Sequence, residues 1–247
     1  MRNSLNSETK KEAALRKETF NCLMNGADAL PSFTFETPEE ATGAITALMR
    51  GFWKYVDVCI EKELPLHKQT CREGCSYCCS QPIFMDVFEA VATIHGMGSE
   101  AATACNEQYD AWYANFSPMQ PQLWKSLQEN KWDELGKLTR SLTAPCPFLH
   151  NDVCTCYASR PMVCRTWLSN KFRFWCAMNP SSVKYTLACQ DAIHDAYNAV
   201  LLHIANAFEI PLAAGGWSVL PQAYHSCGGD SVELLKVAIA KHLTYSR

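Results

Sequence analysis

The chain has 247 residues and a formal net charge of −3, which gives no basic footprint for nucleic acid. Its residues are 48% hydrophobic and 19% charged, the mix of a globular protein with one substantial core. No apolar run approaches the roughly 20 residues that span a bilayer, and Met1 to Glu12 has no apolar stretch of the secretory kind, so the expected compartment is the cytosol and no membrane partner is expected.

Residues 1–30 are expected to be a partly ordered segment, with a short helix on Leu15, Phe20 and Leu23 and a frayed start. Pro31 to Phe35 connects it to the clearest element. Thr37-Pro38-Glu39-Glu40 is a capping box with proline at the first helical position. Ile45, Leu48, Met49, Phe52, Trp53, Val56 and Ile60 follow at helical spacing, and Pro65 closes the helix. The Phe52/Trp53 face reads as core packing.

Asp86-Val-Phe-Glu89 is a second capping box and predicts a helix over 87–95, ended by Gly96 and Gly98. Ser99 caps a further helix through Trp112. Pro118 and Pro121 break the pattern, and a helical pair follows from Gln122 to Leu142. Pro145 and Pro147 hold the chain around Cys146 extended. Residues 165–180 are aromatic and resist assignment. Tyr185 to Phe208 predicts a long helix with Ile193, Tyr197, Val200, Leu201, Ile204 and Phe208 on one face. Gly215-Gly216 is a break, and Asp230-Ser-Val-Glu233 caps a last helix to about Leu243. No long strand alternation and no internal repeat interrupts this pattern. The expected fold is mainly α, a single helical domain over 31–247 with cysteine-rich metal-binding loops between helices.

The chemistry lies in those loops. The chain has 14 cysteines, and in a reducing compartment clustered cysteines read as metal ligands or redox thiols. Cys71-Arg-Glu-Gly-Cys75-Ser-Tyr-Cys78-Cys79 places four within nine residues. Downstream come Cys146-Pro-Phe-Leu, Cys154-Thr-Cys156-Tyr and Arg160-Pro-Met-Val-Cys164-Arg165. Gathered thiolates repel one another, and a cation that holds them deprotonated resolves this. Short spacings let one loop supply two ligands while a distant segment supplies the rest. The candidate ligands are Cys71, Cys75, Cys78, Cys79, Cys146, Cys154 and Cys164. They outnumber the four that one zinc or one cubane cluster takes, so either two centres exist or some thiols do not ligate. Adjacent Cys78 and Cys79 are expected to point apart. Cys22, Cys59, Cys105 and Cys227 stand alone and read as buried structural thiols. His150 and Asp152 read as solvated loop residues. Arg160 and Arg165 are placed to donate to sulfur or to anchor a carboxylate.

At these residues the chain resembles the cysteine-cluster family described as zinc- or iron-chelating proteins. Its pattern pairs a Cys-Cys-rich first segment with Cys-Pro-Phe-Leu, Cys-x-Ile-Tyr and Arg-Pro-x-x-Cys-Arg. The match covers residues 71–165. Cys156 stands where the family carries isoleucine, and a later family cysteine corresponds to Cys189 or to Cys176. Flagellin lysine N-methylases look like larger relatives. That resemblance implies an iron–sulfur cluster (4Fe-4S) and methyl transfer from S-adenosylmethionine, without transferring the substrate. The spacing Cys71-x3-Cys75-x2-Cys78 is also similar to that of radical S-adenosylmethionine enzymes, but those carry it on a parallel β/α barrel, and this chain lacks the alternating strands.

Two functions therefore stand side by side. One is an iron–sulfur protein with redox or group-transfer chemistry on a small-molecule or protein substrate. The other is a non-enzymatic zinc-binding structural or metal-handling module. The run Trp167, Phe172, Phe174, Trp175 either shapes a pocket beside the metal or packs as core. Thiolates suit both metals, so the resemblance, not the spacing, favours iron.

Overall fold

A computed structural model of the chain describes residues 8–26, 30–64, 71, 73–171, 176, 186–210 and 217–245. Among these the architecture is mainly α, with two short antiparallel ribbons. Helix α1 (Lys10–Met24) opens on a capping box not anticipated above. The Glu12 backbone N–H donates to Thr9 Oγ1 at 3.2 Å, and the Thr9 N–H donates to Glu12 Oε2 at 2.7 Å. Helix α2 (Pro38–Glu63) is capped by Thr37, whose Oγ1 accepts from the Glu40 N–H at 3.2 Å. The Glu40 carboxylate does not return to Thr37. It accepts from the Glu36 N–H at 2.8 Å, one residue further back. Pro65, expected to close α2, lies outside the described residues.

Helix α2 is the axis of the core. Its apolar face buries Ile45, Leu48, Met49, Phe52 and Val56 completely and Trp53 almost so, each a favourable transfer of about 2 kcal/mol. Strand β1 (Phe84–Asp86) leads into α3 (Val87–His95), whose bounds match the expectation. Helix α4 (Ser99–Phe116) starts after Gly98 with no side-chain cap and runs past Trp112. The expected helical pair is α5 (Gln120–Gln128) and α6 (Trp132–Arg140). Pro121 sits in the first turn of α5, where its missing N–H is harmless, so it starts a helix where a break was expected.

Strands β2 (Leu149–His150) and β3 (Val153–Cys154) form a hairpin in what reads as a loop. Its turn residues Asn151 and Asp152 take φ of 49° and 63°, the left-handed pair of a type I′ turn. The short helix α7 (Met162–Thr166) carries Cys164. Helix α8 (Gln190–Ala207) buries Ile193, Tyr197, Val200, Leu201 and Ile204 as its periodicity predicts, while Tyr185 and Gly215-Gly216 lie outside the described residues. Strand β4 (Trp217–Val219) pairs antiparallel with β1, Phe84 opposite Val219. Helices α9 (Leu220–Ser226) and α10 (Ser231–Tyr245) complete the chain, with Asp230 Oδ1 accepting from the Val232 and Glu233 N–H groups. Helices α1, α3, α7, α8 and α10 all pack on α2, and one hydrophobic cluster runs from Ala41 to Ala238.

The second expected capping box forms by halves. Asp86 Oδ1 accepts from the Phe88 N–H at 2.8 Å, but Glu89 turns inward. Its carboxylate, 1% exposed, accepts from Trp53 Nε1 at 3.1 Å, the Met162 N–H at 2.7 Å and the Tyr197 hydroxyl at 2.8 Å. One buried charge thus joins α2, α3, α7 and α8. Burial pushes its pKa up against those hydrogen bonds, as desolvation does for any carboxylate taken from water.

Helix α1 lies so close to α2 that a side chain at Gly51 has no room. A Cβ there would stand 2.7 Å from the Arg16 carbonyl oxygen and 2.8 Å from Thr19 Cβ. Gly51→Ala is therefore expected to lose about 1–3 kcal/mol of stability by overpacking. The loss should concentrate in α1, read as faster amide hydrogen exchange over Leu15–Leu23.

A pH dependence follows from Asp86. Burial raises its pKa from 3.8 to about 7. The folded chain holds that proton more tightly than the unfolded one, so the stability it contributes is complete below pH 3.8 and is lost as pH rises through 7. Asp86→Asn keeps the cap, since asparagine caps as well as aspartate. The variant should flatten the part of the decline that runs between pH 3.8 and about 7 in urea melts taken across that range.

Candidate metal centre

Two segments far apart in sequence meet behind α2. In the first, Gly74 takes φ of 85°, a turn that glycine enters without strain. The Cys79 N–H then donates to the Ser76 carbonyl at 2.9 Å. In the second, the β2–β3 hairpin is held to α4 by Gln108, whose Nε2 donates to the Leu149 carbonyl, and Phe148 meets the Tyr224 ring edge-on. Bonds between described residues join the segments. The Cys146 N–H donates to the Cys79 carbonyl, and Ser76 Oγ donates to Asp152 Oδ1 at 2.8 Å. Asp152 is thereby a bracket between the loops, which loop composition does not reveal.

The thiols are brought into one neighbourhood. Cys71 is hydrogen-bonded to Cys75, and its Sγ accepts from the Ser169 N–H at 3.1 Å. Cys78 and Cys79 bond to each other, so these adjacent side chains do not point apart as expected. Cys154 Sγ and Cys156 Sγ are 3.6 Å apart. Across the segments, Cys79 feels the charge of Cys146 and Cys164, and Cys164 that of Cys146, Cys154 and Cys78. Cys156, set aside by the resemblance, belongs to this group, and its pKa is raised by its bond to Cys154 and by Cys146 and Cys164 nearby. The signal for it was its Cys-x-Cys spacing from Cys154.

Each bonded pair divides its proton. The bond from Cys79 favours thiolate on Cys78, whose pKa falls, while Cys79 is pushed up. Cys156 does the same for Cys154. Burial first, and then the thiols of Cys154, Cys105 and Cys78, push Cys146 up to about 12 against the Phe148 backbone bond, and burial beside other thiols pushes Cys164 well above its ordinary value. A group in this state resists charging unless a cation arrives.

The arginines take different parts. Arg160 lies over the Tyr157 ring at 4.0 Å, near enough to Cys78, Cys154 and Cys164 to favour their thiolates. Its Nε is buried with no hydrogen-bond partner among the described residues. Arg165 is buried and faces away from sulfur. It clamps Asp57 of α2 through Nη1, at 2.7 Å and 3.0 Å, and donates to the Arg160 and Ala158 carbonyls at 2.8 Å and 2.9 Å. This is the carboxylate anchor of the two roles expected, and it seats the turn carrying Cys164.

Beside Cys71, Cys75 and Cys78 lies a pocket of about 270 Å³, open solvent included, walled also by Tyr77, Trp167, Leu168, Ser169 and Cys176. Cys176 therefore stands with the first segment. Cys189 is placed elsewhere, at the start of α8. Glu63 of α2 accepts from the Ala188 and Cys189 N–H groups at 2.6 Å and 3.1 Å, and burial together with Glu63 pushes the Cys189 thiol up to about 11. Cys105 is buried in the core, as expected of an isolated cysteine, whereas Cys22, Cys59 and Cys227, expected to be buried too, are only partly so. Phe172, Phe174 and Trp175 lie outside the described residues.

The donor set is soft and suits zinc or iron–sulfur chemistry. Among the described residues, no three His, Cys, Asp or Glu side chains converge to hold a metal ion as they stand. The sulfurs are neighbours, and a bound cation would have to draw them the last distance together. Among the described residues no helix is long and apolar enough to cross a membrane. No family model, curated protein or solved structure matches the chain.

Arg165→Ala removes the donors that seat the Cys164 turn and leaves the Ala158 and Arg160 carbonyls without them. The expected loss is about 3 kcal/mol, with Cys156 and Cys164 alkylated faster in a timed thiol-labelling assay. Arg165→Lys should recover only part of it, because an ammonium cannot reproduce the planar fork.

Proposed function

We propose that the chain is a cysteine-ligated metalloprotein, its thiols holding an iron–sulfur cluster that serves redox or group-transfer chemistry. The observation that carries this reading is the Cys79–Cys146 backbone bond, which holds residues 71–79 against residues 146–164 with their thiols within electrostatic reach of one another. The family resemblance over residues 71–165 supports iron. A reducing, cytosolic setting is part of the same reading, since it keeps these thiols available to metal.

The chain's own residues have definite tasks in it. Four thiols would hold the group, drawn from Cys79, Cys146, Cys154 and Cys164 and from Cys71, Cys75 and Cys78 on the pocket wall. Arg160 offsets their charge. Arg165 and Glu89 keep the 158–166 turn seated on α2 and α3. When bound, the cluster would supply electron transfer or an iron open to a small molecule. The Trp167 and Tyr77 walls supply an apolar, partly dry approach to it. The resemblance adds a small-molecule substrate, with S-adenosylmethionine as the methyl donor; a protein lysine as acceptor is the further extension. The second reading is a zinc-held structural or metal-handling module, which the burial of Cys146 and Cys156 favours.

Anaerobic purification with iron, zinc and acid-labile sulfide analysis and an electron paramagnetic resonance spectrum tests the proposal. Brown protein with iron and sulfide is the expected result. Colourless protein with stoichiometric zinc moves the assignment to the second reading, and metal-free folded protein overturns both. Cys146→Ser and Cys164→Ser should each lower metal content and stability together, because binding joins two segments and part of its energy is folding energy.

A further inference from the structure

The sulfurs of Cys154 and Cys156 stand 3.6 Å apart, and the backbone around them is pinned on both sides. Cys154 pairs with Leu149 in the hairpin. Thr155, between the two, donates its N–H and its Oγ1 to the Phe148 carbonyl at 2.9 Å and 2.8 Å. The Cys156 carbonyl accepts from the Ser159 N–H at 3.0 Å. Residues two apart in an extended chain share a side, so Thr155 turns to Phe148 and the two thiols meet. Their access differs. Cys154 is partly exposed, beside Val153 at 41% and the exposed turn residues Asn151 and Asp152, whereas Cys156 is 5% exposed.

We propose that Cys154 and Cys156 are an oxidation site, closed to an intramolecular disulfide by small-molecule disulfides, and that closure withdraws Cys154 from metal. The inference rests on the metalloprotein reading and names the regulation of its thiols. Exposure assigns the roles. The Cys154 thiolate attacks one sulfur of the incoming disulfide, whose S–S bond breaks, and one thiolate leaves. Cys156 then attacks the Cys154 sulfur from the inner side, and the second thiolate leaves. Two protein thiols lose two electrons, the incoming disulfide becomes two thiols, and the protons of Cys154 and Cys156 pass to them through water. Bringing the sulfurs to the roughly 2 Å of a disulfide is a rotation of side chains on a backbone already in place. Cys78 and Cys79 are bonded as well, but adjacent cysteines close a ring too small for ordinary disulfide angles.

A sulfur in a disulfide has no thiolate to give a cation, so disulfide and metal compete for Cys154. The competition is reciprocal: a bound ion disfavours the disulfide, and the disulfide weakens metal binding by the same factor. In a reducing compartment the open pair is the resting state and oxidation is transient. The same exchange run backwards by excess thiol reopens the pair and returns Cys154 to metal.

The test uses full-length protein purified anaerobically, one portion saturated with zinc ion and one stripped by a chelator, each exposed to glutathione disulfide. Peptide mass mapping after alkylation reads which cysteines are joined, and zinc content is measured alongside. The stripped portion should form a Cys154–Cys156 disulfide, and the zinc-filled portion should form it about tenfold more slowly or less, since a metal-held thiolate is not free to attack. In Cys156→Ser the mixed disulfide on Cys154 should persist, because the resolving thiol is gone. In Cys154→Ser, Cys156 should stay unmodified, because burial keeps the reagent from it. A stripped portion in which both thiols stay reduced, or in which Cys154 joins another cysteine, overturns the proposal. Equal rates in the two portions with zinc bound also overturn it and leave the metalloprotein reading standing. Protein that takes up no zinc overturns both.

Discussion

The carboxylate of Glu89 is the constraint on which the arrangement of the thiols depends. A charge buried to this degree is tolerated only when its oxygens are occupied, and here three donors from three other elements occupy them. The indole of Trp53 comes from the central helix, the phenol of Tyr197 from α8, and the Met162 N–H from the first turn of α7. Satisfying one anion fixes four pieces of backbone at once. Cys164 lies two residues beyond Met162, so its position is inherited from this bond. Arg165 repeats the logic with the opposite charge, turning toward Asp57 and two carbonyls. The ring of Trp53 lies beneath both, with the Arg165 guanidinium 5.2 Å from its centre. Polar atoms, more than apolar contact, determine where the second cysteine segment sits.

The sulfur chemistry follows from that placement. Packing many thiols together leaves them reluctant to ionise, since each thiolate raises its neighbours. The chain eases this with bonded pairs, in which one sulfur keeps the proton that stabilises the other, and with the guanidinium of Arg160. These devices accommodate a few negative charges, not a full set. The clustered thiols are thus short of positive charge.

Much of the helical frame was legible in the sequence. Pro38 after Thr37, Asp86 before an apolar run and the apolar stripe of α8 all report local physics, and local physics decided those elements. The cysteine spacing likewise drew attention to the two segments that meet. What escaped was decided at long range. Glu89 and Glu40 match a capping box by type, yet a buried donor set claimed one and a preceding N–H the other. Nothing local to Asp57 marks it as the partner of Arg165. Asn151-Asp152 reads as loop, and only the pairing of Leu149 with Cys154 turns it into a hairpin. Cys176 and Cys189 are indistinguishable as isolated cysteines, and tertiary placement alone sends one to the thiol pocket and the other to Glu63.

The pairing of β1 with β4 has a consequence for how this architecture could have arisen or be reused. The strand just after the first cysteine segment is completed by a strand more than a hundred positions later, and Tyr197, also from the late half, seals the Glu89 site. The cysteine-bearing stretch is therefore not a cassette. Cut out at its own boundaries, it would carry an unpaired ribbon edge and a stranded carboxylate. The late helices are better regarded as the lid and floor of the same box than as an extension added to it.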